Sequence, residues 1–433
     1  MTERLASRPS YKWLLVGMLW LVCFFNYADR QAIFSLFPLL QREFDLSDVQ
    51  LGIMGSSFMW MYALFGPAAG WLCDRLPRKT LVLGGLIFWS VVTASTALAE
   101  SYTQLVVCRA LGGLGEAFYF PASMSLIGDY HGRATRSRAM SIHQSSVYAG
   151  SIAGGALSGW IGQSQGWRAS FFYFGGLGIM LGALLWMFIY EPERGREENE
   201  IKAKERADKV QLNLADGTLH DKRSFLSGLQ DVLSRPIALV LIAVFMGANF
   251  VAVIFLTWMP TFLFTKFHMS LAMAGLDGTA FVQLASVVGV LGGGLLADAA
   301  VKRRGWERSG RMVVQAAGLL CGVPFLFLIG WTQARSTLFC AMVGFGLFKG
   351  LYDANLWAAL YDAVPSRCRG SAVGIMNSLG WLGGGAAPVL VAMVTLRYGM
   401  SLALSATAGI YLGAGLSLLV AVRLLDRPHA LLK

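Results

Sequence analysis

The chain has 433 residues, 55% of them hydrophobic and 14% charged, and its mean hydropathy is +0.55. An ordinary soluble domain carries about 25% charged residues, so the composition excludes a soluble protein and indicates many membrane crossings. The formal charge of +11 would suggest nucleic acid in a soluble chain; here basic loops on one side of a membrane account for it, and no nucleic-acid partner is expected.

The first ten residues are short and polar, and the apolar run after them is too long for a signal-peptide core, so it reads as a retained span. Runs of about 20 or more apolar residues predict twelve helices. They cover 12–41, 48–73, 80–99, 103–129, 137–163 and 168–190, and then 237–265, 271–299, 310–331, 335–363, 370–396 and 400–424. The one long hydrophilic stretch lies between these sets. The expected fold is an all-α membrane protein of 12 transmembrane helices in two pseudo-symmetric six-helix bundles. Residues 1–190 form the first bundle, 191–236 a cytoplasmic linker and 237–433 the second. High glycine, 50 residues, suits close helix packing in a membrane. Cys23, Cys73, Cys108, Cys321, Cys340 and Cys368 show no metal or redox spacing and no disulfide framework.

Loop charge fixes the orientation. The loops and tails on the side of the two termini hold 28 Lys and Arg residues, the opposite loops hold 5, and three lie inside spans. Both termini and the central segment are therefore expected in the cytoplasm, with the protein in a plasma (cytoplasmic-type) membrane.

Among the ionisable residues inside predicted spans, where such groups are expensive and usually face a partner or an aqueous cavity, six stand out. Asp29 and Arg30 lie in helix 1, roughly 25 Å from its cytoplasmic start by the helical rise. Arg109 and Glu116 lie in helix 4, roughly 9 Å and 20 Å from its outer end, two turns apart on one face. Lys349 and Asp353 lie in helix 10, on one face at i and i+4. Depth counting puts Asp29, Arg30 and Arg109 in the outer half, and Glu116 near the middle, level with Lys349. A guanidinium can fork onto a carboxylate or phosphate, so Arg30 or Arg109 is the expected anion receptor. Desolvation favours a neutral carboxyl and a neighbouring arginine an ionised one, so Asp29 and Glu116 are the expected proton-coupling acids. Lys349 and Asp353 are candidates for a gate between the halves. Against this stands a plainer reading of mutual neutralisation, Asp29 with Arg109, Arg109 with Glu116 and Lys349 with Asp353. Tyr27, Tyr62, Gln144, Asn377 and Trp381 are further candidates for the substrate cavity, with His143, Tyr148, Asn249, Tyr352 and Trp357 weaker ones.

The halves also repeat. Gly70-Trp-Leu-Cys-Asp74-Arg75-Leu-Pro-Arg78-Lys79 closes helix 2, and Gly294-Leu-Leu-Ala-Asp298 with Lys302-Arg-Arg304 closes helix 8. A parallel repeat of six helices places a site at the interface near mid-membrane. The Gly70 to Lys79 stretch resembles the loop signature of the major facilitator superfamily. That resemblance covers essentially the whole chain and implies alternation between outward- and inward-facing states, with Gly70, Asp74, Arg75, Arg78, Lys79 and Asp298 as gating residues. Within it, Asn26 to Arg30, Arg109 to Glu116 and Phe120-Pro121 resemble the anion:cation symporters of sugar acids and other organic anions. Asn26 to Arg30, Arg109 to Ala117, Ile127-Gly-Asp129 and Thr135-Arg136 equally resemble the spinster-like transporters, some of which move lysophospholipids or sphingoid lipids.

No His-Glu-x-x-His, Gly-x-Ser-x-Gly or Walker loop is present, so no enzyme is expected. The leading expectation is a proton-coupled symporter of a small organic anion, acting as a monomer, with the proton as coupling ion and no cofactor. The spinster-like lipid transporter is the alternative.

Overall fold

The computed structural model describes residues 10–73, 75–131, 135–192, 232–302, 309–364 and 369–425, without the side chains of 136, 137, 369–371 and 425. Described residues form fourteen helices. In the first half these are α1 (Tyr11–Phe44), α2 (Asp48–Cys73), α3 (Arg78–Thr96), α4 (Tyr102–Ala117), α5 (Tyr119–Tyr130), α6 (Arg136–Gln165) and α7 (Trp167–Trp186). In the second they are α8 (Pro236–Lys266), α9 (Leu271–Val301), α10 (Gly310–Trp331), α11 (Arg335–Asp353), α12 (Leu356–Ala363), α13 (Arg369–Tyr398) and α14 (Met400–Leu425).

Fourteen segments make twelve spans because two spans are broken. The fourth, predicted continuous over 103–129, is α4 plus α5, parted at Phe118. Pro121 explains the break: a proline clashes with the carbonyl four residues earlier, and that residue is Ala117, the last of α4. The tenth, predicted continuous over 335–363, is α11 plus α12. Here Asn355 competes with the helix backbone, its Nδ2 donating to the carbonyls of Gly293 (3.2 Å) and Leu351 (3.3 Å). Each break lies within three residues of a buried-span acid, Glu116 or Asp353.

Eight helices are long and apolar enough to cross a membrane by themselves. The four spans outside that group are α2, α4 with α5, α6, and α11 with α12.

Twelve crossings put both termini on one side, called here the terminal side, and the opposite face the far side. The first half packs chiefly through α1 on α6, α3 on α7 and α2 on α4; the second through α10 on α14, α9 on α11 and α8 on α13. The halves meet through α2 on α13, α6 on α9 and α1 on α8. Backbone runs against backbone there: a Cβ added at Gly155 would lie 2.6 Å from the carbonyl oxygen of Gly275, and one at Gly52 would lie 2.7 Å from that of Pro388. Gln31 Nε2 donates to the Leu256 carbonyl at 2.8 Å, and the Ala272 N–H donates to Gln163 Oε1 at 3.3 Å. These contacts fall toward the far side, so the halves are closed together there.

Candidate functional site

The centre of the site is a guanidinium in an aromatic box. Arg30 on α1 donates from Nε (3.2 Å) and Nη2 (2.8 Å) to Oε2 of Glu116 on α4. Four rings surround its Cζ: Tyr27 at 4.6 Å, Phe58 at 4.8 Å, Tyr62 at 5.1 Å and Trp381 at 5.2 Å. Three of these rings belong to the first half. Trp381 comes from α13 of the second and packs on Tyr62 with centroids 5.3 Å apart. A cation in this environment gains from each ring face, most when desolvated, and Arg30 is 7% exposed.

Arg109 sits beside this box. Its Cζ is 4.6 Å from the Phe58 ring and 5.9 Å from that of Phe34. Its Nε and Nη2 are buried without a hydrogen-bond partner, as is Nη1 of Arg30. Asp29 is 3% exposed, and both of its carboxylate oxygens lack a hydrogen-bond partner. It lies within electrostatic reach of Glu116 and Arg109. The four side chains therefore form a cluster of two cations and two acids in which one pair is closed and the other members keep unused donors and acceptors. Unsatisfied groups at this depth are costly, which makes the cluster the candidate site.

Depth counting from sequence separated Arg30 from Glu116; the structure puts them in contact. Of the expected neutralising pairs, Lys349 with Asp353 is present, joined through Nζ and Oδ2, while Glu116 is bonded to Arg30 rather than to Arg109. Tyr27, Tyr62, Trp381, Arg30, Arg109 and Glu116 come together as one site. Gln144, Lys349 and Asp353 lie elsewhere, on a cavity of about 210 Å³ between the halves. Its wall is formed by Gln144, Val147 and Tyr148 of α6, by Phe245, Asn249 and Phe255 of α8, by Thr279, Val282 and Gln283 of α9, and by Phe345, Lys349, Tyr352 and Asp353 of α11. Asn377 is half-buried on α13, one turn from Trp381. Phe58, which touches both arginines, was missed in the sequence, as were Thr279 and Gln283.

His143 is fully buried, with Nε2 2.7 Å from the Tyr119 hydroxyl, which also donates to the Leu19 carbonyl at 2.7 Å. It ties α5 to α6 and α1, a packing role.

At the terminal side, Arg78 is the hub of the predicted gate residues. It is 2% exposed and pairs with Asp129 at the end of α5. Its Nε donates to Glu191 Oε1 at 2.8 Å, and its Nη2 donates to the Pro192 carbonyl at 3.0 Å. The Lys79 N–H donates to Glu191 Oε2 at 2.7 Å. Arg75 is exposed and stacks on Trp71 at 3.9 Å. Gly70 is half-buried near the end of α2, and Asp298 is exposed near the end of α9. Asp74 lies outside the described residues.

A buried charge cluster at mid-bundle and two halves closed together on the far side suit an alternating-access carrier. The model of the Major Facilitator Superfamily matches residues 19–388. The chain belongs to the major facilitator superfamily. It is a multi-pass membrane transporter. Among curated relatives, the protein named "Probable galactarate/D-glucarate transporter" of Escherichia coli (strain K12) is 26% identical over 405 residues, covering 90% of this chain and 88% of that protein. The "D-galactonate transporter" of Escherichia coli O6:H1 is 27% identical over 428 residues, covering 96% and 97%. "Protein spinster homolog 1" of Homo sapiens is 28% identical over 411 residues, covering 90% and 74%. A solved structure of a bacterial homolog to the human lysosomal transporter Spinster, inward-facing and unoccupied, superposes with a TM-score of 0.81 at 20% identity, over 97% of this chain and 99% of that one.

Proposed function

We propose that this superfamily member is a proton-coupled symporter of a sugar acid. The observation that carries the reading is the state of Arg30: its fork is occupied by Glu116 while Arg109 beside it keeps open donors. A substrate carboxylate competes with Glu116 for Arg30. Protonating Glu116 withdraws the competing charge, so substrate and proton enter together. Asp29 is the second acid, close to Arg109. Trp381 of the second half faces Arg30 of the first at 5.2 Å, so a substrate that engages Arg30 acts on a contact between the halves, which links binding to alternation. The relatives named as carriers of galactarate, glucarate and galactonate support this substrate class.

In this reading the basic terminal side is the cytoplasmic face of a plasma membrane and residues 191–236 link the halves there. The site closed on the far side is then open to the cytoplasm or occluded. The carrier works as a monomer without a cofactor; Gly70, Asp74, Arg75, Lys79 and Asp298 serve the cytoplasmic gate, and Arg78 braces the first half beside it.

The test is uptake into proteoliposomes. Glu116→Gln should abolish accumulation driven by a pH gradient while preserving substrate exchange; accumulation at the wild-type level would sink the coupling role. A second reading, transport of a lysolipid, is favoured by one observation. An apolar crevice of about 420 Å³ is walled by Leu81, Gly85, Phe88, Leu114 and Phe118. Thermal stabilisation by lysophospholipid but by no sugar acid would reverse the order.

A further inference from the structure

We infer that the Lys349–Asp353 pair makes the carrier selective for acids with a carboxylate at one end only. The inference rests on the sugar-acid reading and narrows it, setting this chain apart from its relatives named as galactarate/D-glucarate transporters and aligning it with the one named as a D-galactonate transporter.

Two environments are available to one solute. The first is the Arg30–Arg109 cluster, with cations and unfilled donors. The second is the cavity between the halves. Lys349 is fifteen residues into α11 and Glu116 fifteen into α4, both counted from the far side, so the helical rise places them at one depth. Asn249 of the cavity wall donates to the carbonyl of Gly380, next to Trp381 of the aromatic box, at 2.7 Å, so the cavity adjoins the box and a molecule anchored at the arginines is directed across the bundle toward it.

The cavity wall suits a polyol. Gln144, Tyr148 and Gln283 supply hydroxyl and amide groups from α6 and α9, able to donate or accept, while Asn249 and Thr279 offer their oxygens as acceptors, since Asn249 donates to the Gly380 carbonyl and Thr279 to that of Gly275. Lys349 is the cation and Asp353 the anion of that wall. They are joined to each other at i and i+4, with side chains 15% and 28% exposed. The far end of the solute thus meets neutral hydrogen-bonding groups and a pair already closed.

A second carboxylate meets the wrong partner. To reach Lys349 it has to displace Asp353, leaving two carboxylates and one ammonium in a partly desolvated space. Like charges so placed are a means of rejecting a competitor. A terminal hydroxyl brings no charge and leaves the pair intact. The structure thus assigns Asp353 the role of excluding the dicarboxylate, with Lys349 as the charge it holds in check.

D-galactonate and galactarate separate the cases, since they share a six-carbon polyol chain and differ in the second carboxylate. The experiment is displacement of labelled D-galactonate from the full chain in proteoliposomes. In the wild type galactarate should displace at least roughly tenfold more weakly than galactonate. Asp353→Asn, which leaves the Lys349 ammonium unpaired, should narrow or invert that ratio. The double substitution Lys349→Gln with Asp353→Asn should move it back toward the wild-type value. Galactarate displacing as well as galactonate in the wild type would overturn the inference while leaving the sugar-acid reading standing, and this comparison needs no variant to fold. A ratio unmoved by Asp353→Asn would likewise remove Asp353 from the selection. Failure of galactonate itself to bind would remove the sugar-acid reading, and the inference with it.

Discussion

Phe58 is shared by two like charges: its ring lies 4.8 Å from the Arg30 carbon and 4.6 Å from that of Arg109. An aromatic face attracts a cation without adding an anion, so the box holds both guanidiniums while leaving one of them open for substrate. Trp381 is the member of this box that belongs to the opposite half. Removing it takes away one ring face, worth about 0.5–2 kcal/mol, so Trp381→Ala should weaken substrate affinity by roughly 2–30-fold. Trp381→Phe should lose less. Unchanged affinity in the alanine variant, read by a binding isotherm, would show that Trp381 only packs. The charged residues were legible in the sequence because an ionisable group inside an apolar run is costly wherever it points. Phe58 was not, since an aromatic residue in an apolar helix is the ordinary case. The separation of Arg30 from Glu116 in depth was wrong for a geometric reason. α1 has 34 residues, roughly 51 Å of helix against a hydrocarbon core of about 30 Å. Much of it extends beyond the core, so counting from its start overestimates how far outward residue 30 lies.

Among the elements, α6 and α9 meet backbone to backbone where the halves close on the far side. Gly155 and Gly275 let these helices approach until backbone meets backbone, as small residues do in membrane bundles. A Cβ at Gly155 would stand 2.6 Å from the Gly275 oxygen, and a backbone atom cannot swing aside as a flexible side chain can. Overpacking of this kind costs about 1–3 kcal/mol, charged here to the closed state. Gly155→Ala should therefore shift the equilibrium toward far-side opening by roughly 5–150-fold, with little effect on overall stability. The measurement is the labelling rate of a single cysteine placed in the far-side cleft, on a background without the native cysteines. A rate equal to that of the glycine parent would sink the idea. The twelve spans themselves were legible because hydropathy and length suffice for them. The two breaks were not, because apolar composition runs straight through both. Pro121 was a visible signal for the first; Asn355 gives none until its partners Gly293 and Leu351 are in place.

For the whole molecule, alternation requires each half to move as a body, and Arg78 supplies that stiffness at the terminal side. It binds the start of α3 to the end of α5 through Asp129 and to the residues after α7 through Glu191 and Pro192. Asp129 belongs to the first half, and Glu191 and Pro192 are the first residues of the segment that follows it. Among the described residues, the bonds Arg78 makes lock three spans together, and bonds of that kind can persist in both states of the carrier. A stabiliser of one state would change the balance between them; a stabiliser of one half should change stability alone. Breaking a buried pair by removing one partner costs about 3–5 kcal/mol, and Arg78 is 2% exposed. Arg78→Ala should accordingly lower the unfolding temperature in detergent, and Arg78→Lys should recover only part of it because an ammonium lacks the planar fork. The same variants should leave the far-side labelling rate of the cysteine reporter near that of the parent. A change in that rate, with unfolding temperature unmoved, would make Arg78 a latch between states rather than a brace within one half.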